Sequence, residues 1–418
     1  MDAYAKIRFL LQPQILELLD RLATDGRDDL ALSQIAELKR LPAAERAAVL
    51  EQRALRIKAG DKQSRAGRLV FTALGLMQMT SEPLARFKSR RLLSLGLTRI
   101  ADLCCGLGGD SMHLSPALDV VGLDNDPAVL LAYRHNVSRF REAKVVRGNA
   151  VRPAVKADAF LIDPARRQNG GGRNWDGRDL TPSLDALEEL VAREGHVGIK
   201  LGPGLDLPAA FADAEWEYLG LNDACLELMA WTGSLGKRGF ITASELPSGA
   251  GISATREDVD QSFADLGEDS CSQPGAYLYE PVKCVVRAHL HAVLAQRLGL
   301  SLMDPKIAYL TGERRIDHPL VKRYAMVQEL PNDLSAIRKV FRQENVGIVT
   351  VKKRGVPIIP EQVRAKIICQ GGNRSATLVF TRLGKARRVF WVTPEEAFPG
   401  SSQDAETGLS DDECVPGG

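Results

Sequence analysis

The stretch RIADLCCGLGGD, Arg99–Asp110, decides the fold that we predict for this chain. Its apolar start is typical of a short buried strand over Ile100–Cys104, and the glycines that follow permit a tight turn and a close approach of the backbone to a ligand. Fourteen residues after the stretch ends, a second apolar strand over Val120–Leu123 is closed by Asp124. This order predicts a βαβ nucleotide-binding unit in which Asp124 contacts a ribose.

The spacing of the glycines indicates which nucleotide is bound. Gly106, Gly108 and Gly109 do not match G-x-G-x-x-G, whose third glycine lets a helix pack closely beneath a pyrophosphate. An adenosine without phosphates, S-adenosylmethionine, therefore fits better. We expect Asp102 to face its cationic methionine part and Asp124 to bind both ribose hydroxyls. The glycine turn alone is weak evidence, because an ordinary strand-to-helix turn has the same composition.

Later strands also end in polar residues. A strand over Val145–Arg147 precedes Asn149, whose amide is expected to meet adenine, and an apolar strand from Ala159 ends at Asp163. Ligands of an open parallel sheet bind beyond the carboxyl ends of its strands, so these side chains should converge. The predicted cofactor-binding residues are Asp102, Cys104, Gly106, Gly108, Gly109, Asp110, Asp124, Asn125, Asn149, Ala150 and Asp163.

Three further segments complete the predicted sheet. His196–Lys200 is a fifth strand, and Trp216–Leu219 with Leu226–Trp231 forms a closing hairpin. Seven strands in this order are typical of the class I methyltransferase sheet.

Five segments, taken together, resemble one family. They are Asp102–Asp110, Ile162–Arg167, Tyr277–Pro281, Asp304–Thr311 and Val351–Gly355. The chain resembles, from about Phe71 to about Val392, the bacterial class I S-adenosylmethionine-dependent methyltransferases that carry a C-terminal THUMP-like domain. The resemblance implies an α/β fold, with a seven-stranded Rossmann-like sheet between an N-terminal helical domain and a C-terminal α/β domain, and it implies an RNA substrate.

The domain layout follows from composition and periodicity. Apolar residues at three- and four-residue spacing predict helices over Ile15–Leu22, Leu30–Leu38 and Ala43–Ala59, and Lys237–Ile252 alternates as an extra β-excursion. We divide the chain into a helical domain over residues 1–97, a methyltransferase domain over 98–252, an acidic linker over 253–274, a THUMP-like RNA-binding domain over 275–393 and a disordered acidic tail over 394–418.

Charge is balanced overall, at +2, but it is unevenly placed. Residues 301–390 carry 18 Lys and Arg against 7 Asp and Glu, whereas residues 394–418 carry 7 acids and no base. We expect the basic part to bind RNA, tRNA or rRNA, through phosphates, with contacts from Lys352, Lys353, Arg354 and Arg374. The alternative, that these cations form a solvated surface, stays open.

The candidate catalytic residues are Asp163, Pro164 and Arg166. They occupy the place where amino-directed nucleic-acid methyltransferases have an Asp/Asn-Pro-Pro-aromatic tetrapeptide. There the acid polarises an exocyclic amine, and we expect the Arg166 guanidinium to stack on a base or bind a phosphate. The glycine-rich loop that follows, Gln168–Asp179, is placed to close over substrate, with Trp175 as a possible stacking surface.

Several classes of protein are disfavoured. No apolar run approaches about 18 residues, so we expect a cytoplasmic protein without a membrane span. The seven cysteines show no C-x-x-C spacing, so we expect no metal site and no disulfide framework. Two alternatives remain: a methyltransferase of a protein or small molecule whose C-terminal lobe is an interaction module, and a non-catalytic scaffold that binds S-adenosylmethionine.

Overall fold

The computed structural model describes residues 1–22, 30–114, 116–166, 180–205, 207–265, 273–368 and 371–395. The chain forms two compact units, the first from Met1 to Gly249 and the second beginning at Ala250. Within the described ranges, no helix combines the length and the apolar character needed to cross a membrane. The predicted loop Gln168–Asp179 lies outside the described residues. So does the predicted tail, apart from its first two residues.

Helices fill the described residues before the first strand, as predicted. They are α1 (Ala3–Leu10), α2 (Pro13–Leu22), α3 (Leu32–Lys39), α4 (Ala43–Ala59), α5 (Ala73–Gln78) and α6 (Glu82–Ser94). Asp2 caps α1 by accepting a hydrogen bond from the N–H of Ala5 at 2.7 Å, and α6 has Pro83 in its first turn, where a missing N–H costs nothing. The sequence did not predict α1 or α5.

These helices share a hydrophobic core with the sheet that follows. Leu10, Leu19 and Phe71 lie in one buried cluster with Leu107 of the glycine turn and Tyr133 of α7 (Pro127–Val137). The predicted boundary at residue 97 therefore marks a change from helix to sheet within one compact unit.

The first sheet has nine strands, in the order β11-β10-β8-β9-β7-β4-β1-β2-β3. They are β1 (Arg99–Leu103), β2 (Asp119–Asp124), β3 (Lys144–Arg147), β4 (Ala159–Ile162), β7 (Val197–Leu201), β8 (Glu215–Leu221), β9 (Ala224–Trp231), β10 (Phe240–Leu246) and β11 (Ala250–Thr255). Strands β3, β2, β1, β4 and β7 run parallel, and β9 is antiparallel to both β7 and β8. Seven adjacent strands thus have the predicted arrangement. The prediction of seven strands in all was wrong, because the excursion at Lys237–Ile252 pairs onto the sheet as β10 and β11.

Two short strands follow β4. They are β5 (Ala165–Arg166) and β6 (Leu180–Thr181), which pair antiparallel and precede α8 (Leu184–Glu194). The pairing fixes the backbone of Arg166 against Leu180. The side chain of Arg166 lies outside the described part of the structure.

The second unit contains a seven-stranded sheet in the order β13-β14-β12-β15-β18-β17-β16. Its strands are β12 (Tyr277–Pro281), β13 (Ser301–Asp304), β14 (Ile307–Gly312), β15 (Val321–Leu330), β16 (Val346–Lys353), β17 (Arg374–Leu383) and β18 (Ala386–Glu395). Its helices are α9 (Arg256–Ala264), α10 (Lys283–Arg287), α11 (His291–Leu298), α12 (Leu334–Gln343) and α13 (Pro360–Ile367). Ile337, Phe341, Val363 and Ile367 pack α12 and α13 onto this sheet.

Within the predicted linker over residues 253–274, residues 253–264 form regular secondary structure. Residues 253–255 end β11, and α9 follows at once. Thr255 caps α9 by accepting from the N–H of Asp258 at 3.0 Å, and Asp258 accepts in return from the N–H of Thr255 at 3.1 Å. The acidic, Ser-rich composition of residues 253–274 predicted a linker. Instead, the reciprocal hydrogen bonds of Thr255 and Asp258 begin a helix.

Candidate active site

Asp124 stands where the sequence placed the ribose-binding acid, at the carboxyl end of β2. Its side chain is half-buried, and both of its oxygens accept backbone hydrogen bonds. The N–H of Gly106 donates to Oδ2 at 3.3 Å and that of Asp126 donates to Oδ1 at 3.1 Å. The carboxylate is thus fixed between the glycine turn and the start of α7, and its further lone pairs can accept from a ligand.

The three glycines of the turn have different reasons to be glycine. A Cβ on Gly106 would meet no heavy atom nearer than the carbonyl oxygen of Cys104, at 4.0 Å, so the space beside it is open. A Cβ on Gly108 would lie 2.7 Å from Cγ2 of Val137, and one on Gly109 would lie 2.8 Å from Cγ of Met79. Gly106 is favoured by its positive φ of 52° and has open space beside it, while Gly108 and Gly109 are required by packing within the protein.

Asp102 is buried at the end of β1, with only 4% of its surface exposed. Ser111 Oγ donates to its Oδ2 at 2.5 Å, and Tyr133 Oη donates to Ser111 Oγ at 2.8 Å. Burial and the nearby Asp110 carboxylate raise the pKa of Asp102 to about 7, against the lowering effect of the Ser111 hydrogen bond. Its described contacts are with the protein, and its expected approach to the methionine part of the cofactor stays a prediction.

The remaining predicted cofactor-binding residues surround the same edge of the sheet. Asn149 is exposed after β3, and its Oδ1 accepts from the N–H of Val151 at 2.9 Å, while Ala150 beside it is buried. Asn125 is exposed after β2. Burial and the Asp124 carboxylate raise the pKa of Cys104 to about 12, which keeps it a thiol.

Asp163 follows β4 and is paired with a lysine that the sequence analysis did not single out. Lys200, near the end of β7, donates from Nζ to Oδ2 of Asp163 at 2.6 Å. The side chain of Asp163 remains 35% exposed, whereas that of Lys200 is only 15% exposed. No described residue makes a hydrogen bond to Oδ1 of Asp163. Pro164 is buried next to it.

The same lysine also contacts the segment before α6. Lys200 Nζ lies 3.0 Å from Oγ1 of Thr80 and 3.4 Å from the carbonyl oxygen of Gln78. Thr80 Oγ1 donates to Oδ2 of Asp110, after the glycine turn, at 2.9 Å. The helical region therefore forms one side of the site, together with the strand ends.

A second buried lysine completes this network. Lys88 on α6, 1% exposed, lies 2.7 Å from Oδ1 of Asp110 and 3.0 Å from Oε2 of Glu227 on β9. Burial raises the pKa of Asp110, but the Lys88 and Lys200 ammonium groups outweigh it and lower that pKa overall. In the sequence, the feature that could have pointed to Lys200 is a charged residue near the end of the apolar strand HVGIK. Lys88 and Glu227 had no comparable signal.

Comparisons with known proteins identify the family. A protein of Mycobacterium tuberculosis strain CDC 1551, described as an uncharacterized S-adenosylmethionine-dependent methyltransferase, is 30% identical over 319 residues, which cover 75% of this chain and 85% of that protein. Its counterpart in strain H37Rv matches equally. The chain belongs to the S-adenosylmethionine-dependent methyltransferases. The THUMP domain-like family model matches residues 321–394 of this methyltransferase.

A solved structure shows the same fold. A protein of Porphyromonas gingivalis W83, provisionally described as a methyltransferase, matches with a TM-score of 0.71 and 20% sequence identity. The match covers 94% of this methyltransferase and 98% of that chain. It confirms the α/β methyltransferase fold.

The cofactor of this methyltransferase is S-adenosylmethionine, as predicted, and the crevice fits it. The open space beside Gly106 and the fixed carboxylate of Asp124 suit an adenosine that brings no phosphate. When bound, the cofactor supplies an electrophilic methyl group, so the protein mainly has to orient the acceptor. No described group of three or more His, Cys, Asp or Glu side chains could hold a metal ion.

The four predicted RNA contacts lie in the second unit, and three of them are paired with acids. Lys352 Nζ lies 2.6 Å from Oε2 of Glu280 on β12, and Arg354 Nη2 lies 3.6 Å from its Oε1. Arg374 Nη1 lies 2.6 Å from Oε2 of Glu344. Lys353 is exposed and donates to the carbonyl oxygen of Ile358 at 2.6 Å.

Proposed function

We propose that this methyltransferase methylates a nitrogen of a base in RNA, with an exocyclic amine as the favoured acceptor. One observation carries the acceptor chemistry. Asp163, next to the glycine turn, is fixed through Oδ2 by Lys200, while Oδ1 has no partner among the described residues. A carboxylate oxygen in that state can accept a hydrogen bond from an amine N–H and hold the nitrogen lone pair in line for transfer.

The neighbouring residues support this role. Pro164 fixes the backbone after Asp163, so that a main-chain carbonyl can accept the second N–H of the amine. The backbone of Arg166 is held by pairing with β6, and we propose that its guanidinium stacks on the target base or binds a phosphate. When bound, the cofactor would supply the methyl group to the nitrogen lone pair, its sulfur would keep the S–CH₃ electron pair, and the amine would release one proton to water.

The second unit supports RNA as the substrate. Its match to the THUMP domain-like family covers most of the sheet and both helices α12 and α13. Lys352 and Arg354 are paired with Glu280, which leaves them less available to phosphates. The exposed cations of α12 and α13 are therefore a better test of phosphate contacts. Lys339, Arg342 and Lys366 are exposed and make no ion pair with any residue that the structure describes.

Methyl transfer to RNA tests the proposal directly. RNA from cells that lack the protein is incubated with the enzyme and methyl-labelled cofactor, and nucleosides are then separated and identified by mass spectrometry. We expect label in one base-methylated nucleoside with the native enzyme and none with Asp163→Ala. The Asp163→Ala variant should keep its cofactor affinity within a few-fold, because that carboxylate orients the acceptor.

Other outcomes decide against the proposal. Labelled protein or small molecules, with RNA unlabelled, would show that the substrate class is wrong. Full activity of Asp163→Ala would remove Asp163 from the mechanism. Cofactor binding without transfer to any fraction of the cell extract would favour the non-catalytic scaffold.

A further inference from the structure

Lys200 contacts three structural elements at once. Its ammonium lies 2.6 Å from Oδ2 of Asp163 after β4, 3.0 Å from Oγ1 of Thr80 before α6 and 3.6 Å from Oε1 of Glu227 on β9. Burial lowers the pKa of Lys200, but the carboxylates of Asp163, Glu227 and Asp110 outweigh it, so the pKa lies above its usual value. Lys200 is therefore a cation at neutral pH.

Without the Lys200 ammonium, the charges around Asp163 would favour the protonated form of its carboxyl group. The nearby acids are Glu227 on β9, Asp110 after the glycine turn and Asp102 on β1. Burial raises the pKa of Asp163 most, Lys200 lowers it, and Glu227 and Asp110 raise it further, so that the pKa lies above its ordinary value even with Lys200 in place. The second buried cation, Lys88, contacts Asp110 and Glu227 instead.

We propose that Lys200 is a positioning residue that favours the ionised form of Asp163 and directs the other carboxylate oxygen, Oδ1, to the acceptor. The proposal rests on the role given to Asp163 in the proposed function. The bond from Lys200 to Oδ2 fixes the rotation of the carboxyl group, and the bond to Thr80 fixes Lys200 relative to Asp110. A neutral Asp163 could not accept the amine N–H equally well, because a protonated carboxyl group has lost part of its acceptor capacity.

The first experiment needs no substrate. The pKa of Asp163 is measured in the full-length protein by carbon-13 NMR of its carboxyl group, with the signal assigned by its loss in Asp163→Asn. In Lys200→Met we expect the pKa of Asp163 to rise by about 1 to 3, the usual effect of one adjacent opposite charge. Lys200→Arg keeps the charge and should largely restore the native value.

Two further variants separate electrostatics from general disruption. In Glu227→Gln, the loss of a nearby negative charge should lower the pKa of Asp163, the opposite direction to Lys200→Met. In Thr80→Val, the ion pair remains and the pKa of Asp163 should stay at its native value. A role confined to packing predicts no such opposite effects, so equal values in the native, Lys200→Met and Glu227→Gln proteins would overturn the proposal.

The second experiment measures activity against pH. Asp163 acts as the anion, so kcat/KM should fall as the pH decreases through its pKa. In Lys200→Met this fall should begin about 1 to 3 pH units higher than in the native enzyme, and Lys200→Arg should restore the native profile. An acid limb that stays in place in Lys200→Met contradicts the proposal. If the NMR result holds but RNA is not methylated, the proposed function fails, while the effect of Lys200 on the ionisation of Asp163 stands.

Discussion

At the scale of single residues, the glycines of the turn after β1 have different surroundings. Gly108 and Gly109 leave no room for a side chain, because α7 and the segment before α6 pack directly against them. Gly106 has open space beside it and donates its N–H to Asp124. The space for a ligand and the tight packing of the turn therefore lie at different glycines.

Asp124 gives the clearest prediction for the cofactor. Asp124→Ala should weaken S-adenosylmethionine binding by about 2 kcal/mol, roughly thirtyfold in Kd, because a charged hydrogen-bond acceptor is removed. Isothermal titration calorimetry measures this change. Asp126→Ala is the matched control: it removes the cap of α7, where Asp126 accepts from the N–H of Ala128 at 2.8 Å, and should cost about 1 kcal/mol of stability with little effect on Kd. Native affinity in Asp124→Ala would show that the ribose is bound elsewhere.

At the scale of elements, the carboxyl end of β16 is held to three other strands of its sheet. Lys352 lies over the ring of Tyr324 on β15, 5.2 Å from its centroid, and pairs with Glu280 on β12. Arg354 lies over the ring of Tyr309 on β14, 4.9 Å from its centroid, and donates to the carbonyl oxygen of Ala308 at 2.7 Å. These cations connect strands that are not sheet neighbours of β16.

Charge reversal should distinguish Lys352, which is paired with Glu280, from the exposed Lys353 that follows it in the sequence. Lys352→Glu places a carboxylate against Glu280 and should destabilise the protein by about 1 to 3 kcal/mol, since a half-buried ion pair becomes a like-charge contact. Lys353→Glu is the matched control, because Lys353 is exposed and should change stability by about 0.5 kcal/mol or less. Urea unfolding followed by circular dichroism measures both. Equal effects of the two substitutions would contradict the structural role of Lys352.

At the scale of the whole molecule, the uneven charge predicts how RNA binding depends on salt. The triple variant Lys339→Glu, Arg342→Glu and Lys366→Glu should weaken RNA binding and lower the slope of log Kd against log salt by about 0.7 to 0.9 for each phosphate that is no longer neutralised. Fluorescence anisotropy with labelled RNA at several salt concentrations measures both quantities, and calorimetry should find the cofactor affinity unchanged. An unchanged affinity and slope would show that this helix pair is a solvated surface.

The sequence alone determined the family, the central strands of the first sheet and several of the helices. The apolar run Ile100–Cys104 and those ending at Asp124 and Asp163 predicted β1, β2, β4 and the edge of the sheet where we expect the cofactor to bind, and helical periodicity predicted α2, α3 and α4. These features are local: they depend on residues a few positions apart, which sequence periodicity records directly. The strands β12 to β15 had no such clear pattern, and the sequence analysis did not predict them.

Only the tertiary structure decided which charges meet. Lys200 and Asp163 are 37 residues apart, Thr80 and Asp110 are 30 apart, and Lys352 and Glu280 are 72 apart. It also decided that β10 and β11 extend the sheet. A basic residue has the same local pattern whether it faces solvent, an acid of the same unit or a substrate. Because electrostatic energy depends on distance and burial in the folded chain, the roles of Lys200 and Lys352 could be assigned only after folding had brought their partners together.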